Sequence, residues 1–333
     1  MTTLRWGILG PGRIAPRIVR AVGATPRGEL VAVAGRDQQR AAAFARTHAI
    51  PRVYGSYEAL LDAPDVDVVY VALPNHLHAD WTVRALEAGK HVLCEKPLAL
   101  TVEDVDRVIA ASGRADRLAV EAFMYLHHPQ IVRAVELARG GDLGQLELVH
   151  GSFSFFLTYP NDPRIDLAMG GGSLWDVGCY PVSFARRVAG EEPDRIAAFA
   201  RFDEHGVDRT FAGQLHFPGG LLAQFDSGFA APDRQRLEVV GGDATLILDS
   251  PFLSAPDGPP PTLVRWDGRE VAPIAVPAVD QVHLEVEDLT AAILDGSPPR
   301  IDLSWSRGTI AALVELDRTA RANAGLPNPV RAG

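Results

Sequence analysis

Apolar residues in the first 125 positions fall into two alternating patterns. Short, almost purely apolar runs recur at residues 4–9, 30–34, 66–72, 91–95 and 118–121. Such runs suit parallel strands buried on both faces. Between them apolar positions return every three to four residues, which predicts helices over 13–24, 38–48, 57–61, 77–88 and 102–112. Ser56 and Thr101 stand immediately before two of these helices and are placed to cap them. The alternation of strand and helix predicts an α/β unit, a doubly wound parallel sheet covered on both faces.

The pattern changes after residue 123. A helix is predicted over 129–139, with Ile131, Val132, Val135 and Leu137 on one broad face. Residues 146–157 are long and rich in β-formers, and 194–202, 208–217 and 221–229 read as three further strands. Pro218-Gly219-Gly220 and Gly241-Gly242-Asp243 mark hairpin turns. These elements predict a C-terminal α+β domain built on a large open, mostly antiparallel sheet. Residues 250–279 are dense in proline and predict an irregular excursion, with an edge strand at 263–266. Helices follow over 283–294 and 305–323. Phe153, Phe155 and Phe156 on the long strand, beside Tyr159, are expected to pack between sheet and helix, with the lining of a sugar pocket as the alternative for some of them. The expected division is 1–123 and 124–333, with the C-terminal helix able to pack back on the first domain.

A chain of 333 residues is comfortable for two domains, and 47% hydrophobic content is ample for packed cores. A net charge of −10 argues against a nucleic-acid partner, since phosphate binding needs a basic face. The two cysteines, Cys94 and Cys179, lie far apart without metal-ligand spacing. They read as reduced thiols, and no metal site is expected. With no signal-peptide pattern and no apolar run of membrane length, a cytoplasmic protein is expected.

The candidate chemistry starts at the first strand–helix turn. Gly10-Pro11-Gly12-Arg13-Ile14-Ala15 is G-x-G-x-x-A, the fingerprint of a Rossmann dinucleotide site. The glycines let backbone N–H groups at a helix start approach a pyrophosphate. The second strand ends in Gly35-Arg36-Asp37. Glycine in the usual place of the ribose-binding acid, followed by arginine, favours NADP; Asp37 on the ribose with Arg36 in solvent is the NAD reading. Leu73-Pro74-Asn75-His76-Leu77-His78 and Glu95-Lys96-Pro97 fall at the next two strand ends, where such sheets bind ligands. Further on, Asp176 and Tyr180 are four residues apart and share one helix face. Ser173 to Asp176 also fits a capping box, and Pro181 is expected to kink the segment after Tyr180.

Taken together, these segments resemble the Gfo/Idh/MocA oxidoreductase family, in order and spacing. Gly170-Gly171-Gly172-Ser173-Leu174-Trp175-Asp176-Val177-Gly178-Cys179-Tyr180-Pro181 is similar to that family's second-domain active-site segment. Glu121-Ala122-Phe123-Met124-Tyr125 and the tyrosine at 180 resemble the dimeric dihydrodiol dehydrogenase and NADP-dependent xylose dehydrogenase branch. The resemblance implies an NAD(P)-dependent dehydrogenase or reductase acting on the CH–OH group of a sugar, polyol or dihydrodiol. It implies NADP, with NAD as the alternative, held by Gly10, Gly12, Arg13, Ile14, Arg36, Asp37, Pro74, Asn75, His78, Glu95 and Lys96. Lys96 would polarise the substrate, Tyr180 exchange the proton, and Asp176 hold the sugar or tune the pair. A homodimer through the C-terminal sheet is also implied. A non-catalytic nucleotide-binding regulator and a biosynthetic ketosugar reductase stand as alternatives.

Overall fold

The computed structural model describes residues 2–159, 162–253 and 262–329. It divides into two compact units, one of residues Met1–His127 with Asp280–Arg307, the other of His128–Val279 with Gly308–Ala332.

The first unit carries six parallel strands. In chain order its elements are β1 (Leu4–Leu9), α1 (Ala15–Ala24), β2 (Gly28–Ala34), α2 (Gln38–Thr47), β3 (Arg52–Tyr54), α3 (Tyr57–Leu61), β4 (Val68–Val71), α4 (His78–Glu87), β5 (His91–Glu95), α5 (Val102–Ala115) and β6 (Ala119–Ala122). The sheet order is β3-β2-β1-β4-β5-β6. Its centre is dry: Trp6, Ile8, Val33, Val69 and Leu93 have no measurable exposure. Ser56 and Thr101 cap their helices as expected, accepting from the backbone N–H groups of Ala59 and Asp104. The order reverses at β1, so β1 and β4 diverge to opposite halves of the sheet and open a crevice beyond their C-terminal ends.

In the second unit α6 (Pro129–Arg139) precedes the long strand β7 (Leu146–Phe156), and a π-helical turn, Leu174–Gly178, leads directly into α7 (Cys179–Ala189). The strands β8 (Arg195–Phe202), β9 (Asp208–His216), β10 (Leu222–Gly228), β11 (Ala230–Gly241), β12 (Thr245–Asp249), β13 (Thr262–Trp266) and β14 (Val271–Ile274) follow. Together with β7 they form one sheet in the order β14-β13-β12-β11-β7-β10-β9-β8. Every pairing is antiparallel except β7 with β10. The helix-covered face is tight at Gly151, where an added Cβ would stand 2.5 Å from Pro181 Cβ. The chain closes with α8 (Gln281–Asp295), capped by Asp280 and grouped with the first unit, and α9 (Leu303–Asn323). Among the described residues no helix is long and apolar enough to cross a membrane.

Three expectations need correction here. The strand at 263–266 is not an edge: β14 pairs outside it, formed by a segment whose single proline conceals a short β pattern. The aromatic cluster on β7 divides. Phe153 is buried and stacks on Phe252 at 5.0 Å, whereas Phe156 and Tyr159 are 61% and 58% exposed. Strand alternation turns Phe156 away from the face that buries Phe153. Pro181 does not break the helix after Tyr180. It lies in the first turn of α7, where a missing N–H is tolerated, and the irregularity precedes Tyr180 as the π turn.

Candidate active site

In the first unit the glycine loop shows two different uses of glycine. Gly10 has φ of +91°, and a Cβ there would stand 2.6 Å from Ala72 O, the carbonyl just beyond β4. Gly12 has no such constraint; its nearest neighbour would be 3.7 Å away. Gly10 therefore lets the loop close on β4, and Gly12 leaves room above the loop. Among the described residues no side chain caps α1, and Pro16 occupies its first turn. A helix start with no side-chain cap, its positive dipole end and a bare Gly12 beside it fits a nucleotide pyrophosphate. Ala15 is fully buried, which lets α1 pack close to the sheet.

Gly35 at the end of β2 is explained by packing: an added Cβ would meet Pro11 Cδ at 3.1 Å and Ala41 Cβ at 3.2 Å. Arg36 is exposed and lies beside the Tyr57 hydroxyl, which burial holds above its ordinary value while the guanidinium pulls it down. Asp37 caps α2 by accepting from Arg40 N at 3.0 Å. One oxygen of its carboxylate is thereby engaged at the helix start. Arg40, which the sequence reading passed over, reaches back to donate to Pro11 O at 3.2 Å. Two exposed guanidiniums, Arg36 and Arg40, thus stand at the end of β2.

The neighbouring strand ends hold the other candidates. Pro74 and Asn75 lead a 3-10 turn, Asn75–Leu77, before α4. His78 is 1% exposed, and its ring nitrogens each lie 2.7 Å from a backbone oxygen, of Pro97 and of Leu73. Burial pushes its pKa down to about 4, although both carbonyls act the other way. His78 is thus a buried strut between two strand-end turns and is not open to a ligand; in the neutral ring only one of its nitrogens donates, to one of the two carbonyls. Its neighbour His76 is half-buried, with an Nδ1 that has no hydrogen-bond partner among the described residues. Of the two histidines, His76 is the one left for a ligand.

Lys96 is half-buried, follows β5 directly, and joins Pro97 through a cis peptide bond. Glu95 accepts a hydrogen bond from Tyr70, which turns its carboxyl toward the interior. Burial raises the pKa of Glu95, and the tyrosine hydroxyl and the Lys96 charge oppose that rise. Glu285 on α8 is nearly buried as well, and desolvation with the nearby Glu95 lifts it well above the carboxylate range.

The second unit supplies a separate group. Asp176 lies in the π turn and Tyr180 in the first turn of α7. Tyr180 is 4% exposed and packs against Phe153 and Phe252 at ring-centroid distances of 5.3 and 5.2 Å. Facing Asp176 is Arg164, with Nη1 3.6 Å from Asp176 Oδ2. Arg164 also grips the buried Asp162 in two parallel hydrogen bonds, 2.8 and 2.9 Å, and lies over the Phe155 ring at 5.3 Å. Its carbonyl accepts from Gly172 N at 2.9 Å, and a Cβ on Gly171 would stand 2.6 Å from that same oxygen.

The expected capping box does not form. Ser173 is already helical, with φ −67° and ψ −31°, and its hydroxyl donates instead to Asp208 at 2.6 Å. The cap comes from β9: Asp208 accepts from Leu174 N at 2.9 Å. Sequence reasoning missed Arg40, Asp162, Arg164 and Asp208. Only Arg40 left a trace, one helical turn after Arg36. Cys94 and Cys179 are buried free thiols, and burial pushes Cys94 far above its ordinary value.

Residues 4–123 match the family model of an oxidoreductase family with an NAD-binding Rossmann fold, and 131–247 match the GFO/IDH/MocA C-terminal domain. The chain is 38% identical to a D-xylose 1-dehydrogenase (NADP(+)) of Haloferax volcanii, covering 96% of this chain and 99% of that one. It is 36% identical to a trans-1,2-dihydrobenzene-1,2-diol dehydrogenase of Bos taurus, over 80% of this chain and 79% of that one. A 3-ketoreductase from Actinomadura kijaniata, solved with NADP and TDP-benzene, superimposes with a TM-score of 0.90 at 31% identity, covering 96% and 98% of the two chains.

Proposed function

The chain belongs to the Gfo/Idh/MocA family of oxidoreductases, and from that premise we propose that it transfers hydride between NADP and a carbinol carbon of a sugar, polyol or dihydrodiol, or the corresponding ketosugar. The observation that carries this reading is in the first unit: an uncapped start of α1 beside an open Gly12, with Lys96 at the end of β5. Gly10, Gly12, Arg13 and Ile14 would hold the pyrophosphate. Arg36 and Arg40 would hold the 2′-phosphate, since Asp37 is engaged as a cap. Pro74, Asn75, His76 and the Glu95-Lys96 turn would border the nicotinamide. When bound, the nicotinamide supplies a carbon that accepts or returns hydride.

The protein's own part is proton handling and orientation. Tyr180 takes the proton of the substrate hydroxyl in oxidation and returns it in reduction. A free phenol titrates near about 10, too high for an effective base at neutral pH. The Lys96 cation would lower it and stabilise the developing alkoxide. The two groups would titrate as a pair. Asp176 and Arg164 offer an acceptor and a donor to neighbouring substrate hydroxyls. Phe153 and Phe252 hold the Tyr180 ring.

The same reading places the enzyme in the cytoplasm as a homodimer. Phe199, Leu222, Trp266 and Val271 are 68, 49, 45 and 63% exposed, and the strand register sets them on one face of the eight-stranded sheet. A second copy of that face would cover them.

The test is a panel of aldoses, inositols, dihydrodiols and ketosugars with NADP(H) and NAD(H) in parallel. Tyr180→Phe is expected to lower kcat at least about 100-fold while the NADPH dissociation constant stays near wild type. Lys96→Ala is expected to do the same. Near-normal turnover in either variant removes that residue from the mechanism.

A further inference from the structure

Asp208, the first residue of β9, is 2% exposed and lies beneath the segment that carries the proposed catalytic side chains. One carboxyl oxygen, Oδ2, accepts from both Ser173 Oγ and Leu174 N. The other, Oδ1, faces Gly172, which has φ of +128° and where an added Cβ would come within 2.1 Å of it. Ser173 Oγ in turn lies 3.1 Å from Ser227 Oγ on β10. Ser227 abuts Gly178, whose added Cβ would stand 2.9 Å from the Ser227 oxygen. A chain of polar atoms, Asp208–Ser173–Ser227, therefore runs beneath the π turn from before its first residue to its last. Asp176 is within that turn and Tyr180 is two residues past it.

The two protonation states of Asp208 cannot use this chain in the same way. The carboxylate only accepts, so Ser173 donates to it and Ser227 is free to donate to Ser173. A negative group at this point also suits the start of a helix. The neutral acid has a proton to donate. A proton on Oδ2 is donated to Ser173 Oγ, which must then turn its own hydroxyl toward Ser227, and the chain reverses. On either oxygen the proton removes the negative charge that strengthens the hold on Leu174 N. The charged groups acting on Asp208 from the packed elements are Asp317 and Arg321, an ion pair at 2.8 Å on α9. Burial pushes the Asp208 carboxyl up to about 7; Asp317 adds to that, while Ser173, Leu174 and Arg321 pull it down.

We propose that Asp208 is a positioning residue for the segment presenting Asp176 and Tyr180, acting through Ser173, Leu174 and Ser227, and that proton exchange at its carboxyl makes the pose of that segment depend on pH. This rests on the proposed roles of Asp176 and Tyr180, and its test includes a readout independent of turnover. Trp175 is buried in the π turn, next to Leu174, and reports on it directly.

Tryptophan emission of the full chain is titrated from about pH 5 to 9, without substrate. Wild type is expected to show an inflection near neutrality that is absent from Asp208→Asn and from the assignment control Trp175→Phe. With a substrate from the panel, Asp208→Asn is expected to lose about tenfold in kcat, lose the matching inflection in its pH profile, and keep an NADPH dissociation constant within about twofold. No emission inflection in wild type, or an unchanged one in Asp208→Asn, overturns the proposal whatever the activity. If no panel substrate turns over, the hydride-transfer reading fails and the emission titration still decides the role of Asp208. Should Asp208→Asn not fold, Ser173→Ala decides. It removes a donor to the carboxylate, so its inflection must move upward; an unmoved inflection overturns the proposal.

Discussion

The two glycines of the nucleotide loop should respond oppositely to the same added methyl group. At Gly10 an alanine meets two costs. Its φ of +91° is foreign to L-residues, at about 1–2 kcal/mol. Its Cβ would also stand 2.6 Å from Ala72 O and 2.9 Å from Leu73 Cδ2, an overpacking worth about 1–3 kcal/mol. The sum is about 3 kcal/mol, roughly a 150-fold loss in the folding equilibrium. At Gly12 the nearest atom is 3.7 Å away and φ is not positive, so alanine costs the fold nothing and lowers unfolded-chain entropy by about 0.4–1 kcal/mol. That methyl group instead occupies space assigned to the pyrophosphate, and NADPH affinity should fall about 10- to 100-fold. Urea denaturation and NADPH titration of both variants separate the effects. Equal loss of stability in the two, or wild-type NADPH binding by Gly12→Ala, would refute the division of roles.

Arg164→Ala should cost about 3 kcal/mol, because it withdraws a bidentate partner from a carboxylate that is 4% exposed; Asp162→Asn in the same chain should recover part of it, as read by denaturant midpoints. The same variant should raise the substrate KM while leaving the NADPH dissociation constant unchanged. His78 predicts an acid-side loss of stability. Its folded pKa of about 4 lies below the ordinary 6.5, so the unfolded chain binds the proton more readily. Stability is then fully present above about 6.5 and lost as pH falls toward 4, by about 3 kcal/mol. Burial drives His91 the same way, to about 4. A flatter melting-temperature profile between pH 4.5 and 7 is expected for His78→Gln; a slope equal to wild type would remove His78 as its source.

What the sequence displayed and what it hid divide by the range of the interactions. The strands β1, β4, β5 and β6 and the end of β2 were legible because they are largely buried on both faces, so apolar runs have no competing explanation, whereas the half-buried β3 showed no such run. Ser56 and Thr101 were legible because each caps the helix that it precedes, three residues from its donor. Ser173 stands in an equivalent local position and does not cap. An acceptor 35 residues later in the chain, on β9, reaches Leu174 N and takes the serine hydroxyl as well. A buried carboxylate is the stronger acceptor, so once the sheet places it there the local motif loses. His78 and Gly35 follow the same logic. The histidine sits in a recognisable motif, but the Pro97 and Leu73 carbonyls that enclose it are set by tertiary packing. Gly35 accommodates Pro11 whether or not a ribose lies beyond it. Local patterns therefore named the candidate turns of this chain, and non-local contacts decided which side chains of each turn are already engaged within the fold. In the first unit the open group stands near the one the motif named, His76 near His78 and Arg40 near Asp37, and in the second unit Ser173 yields the cap to a carboxylate from a different strand, Asp208.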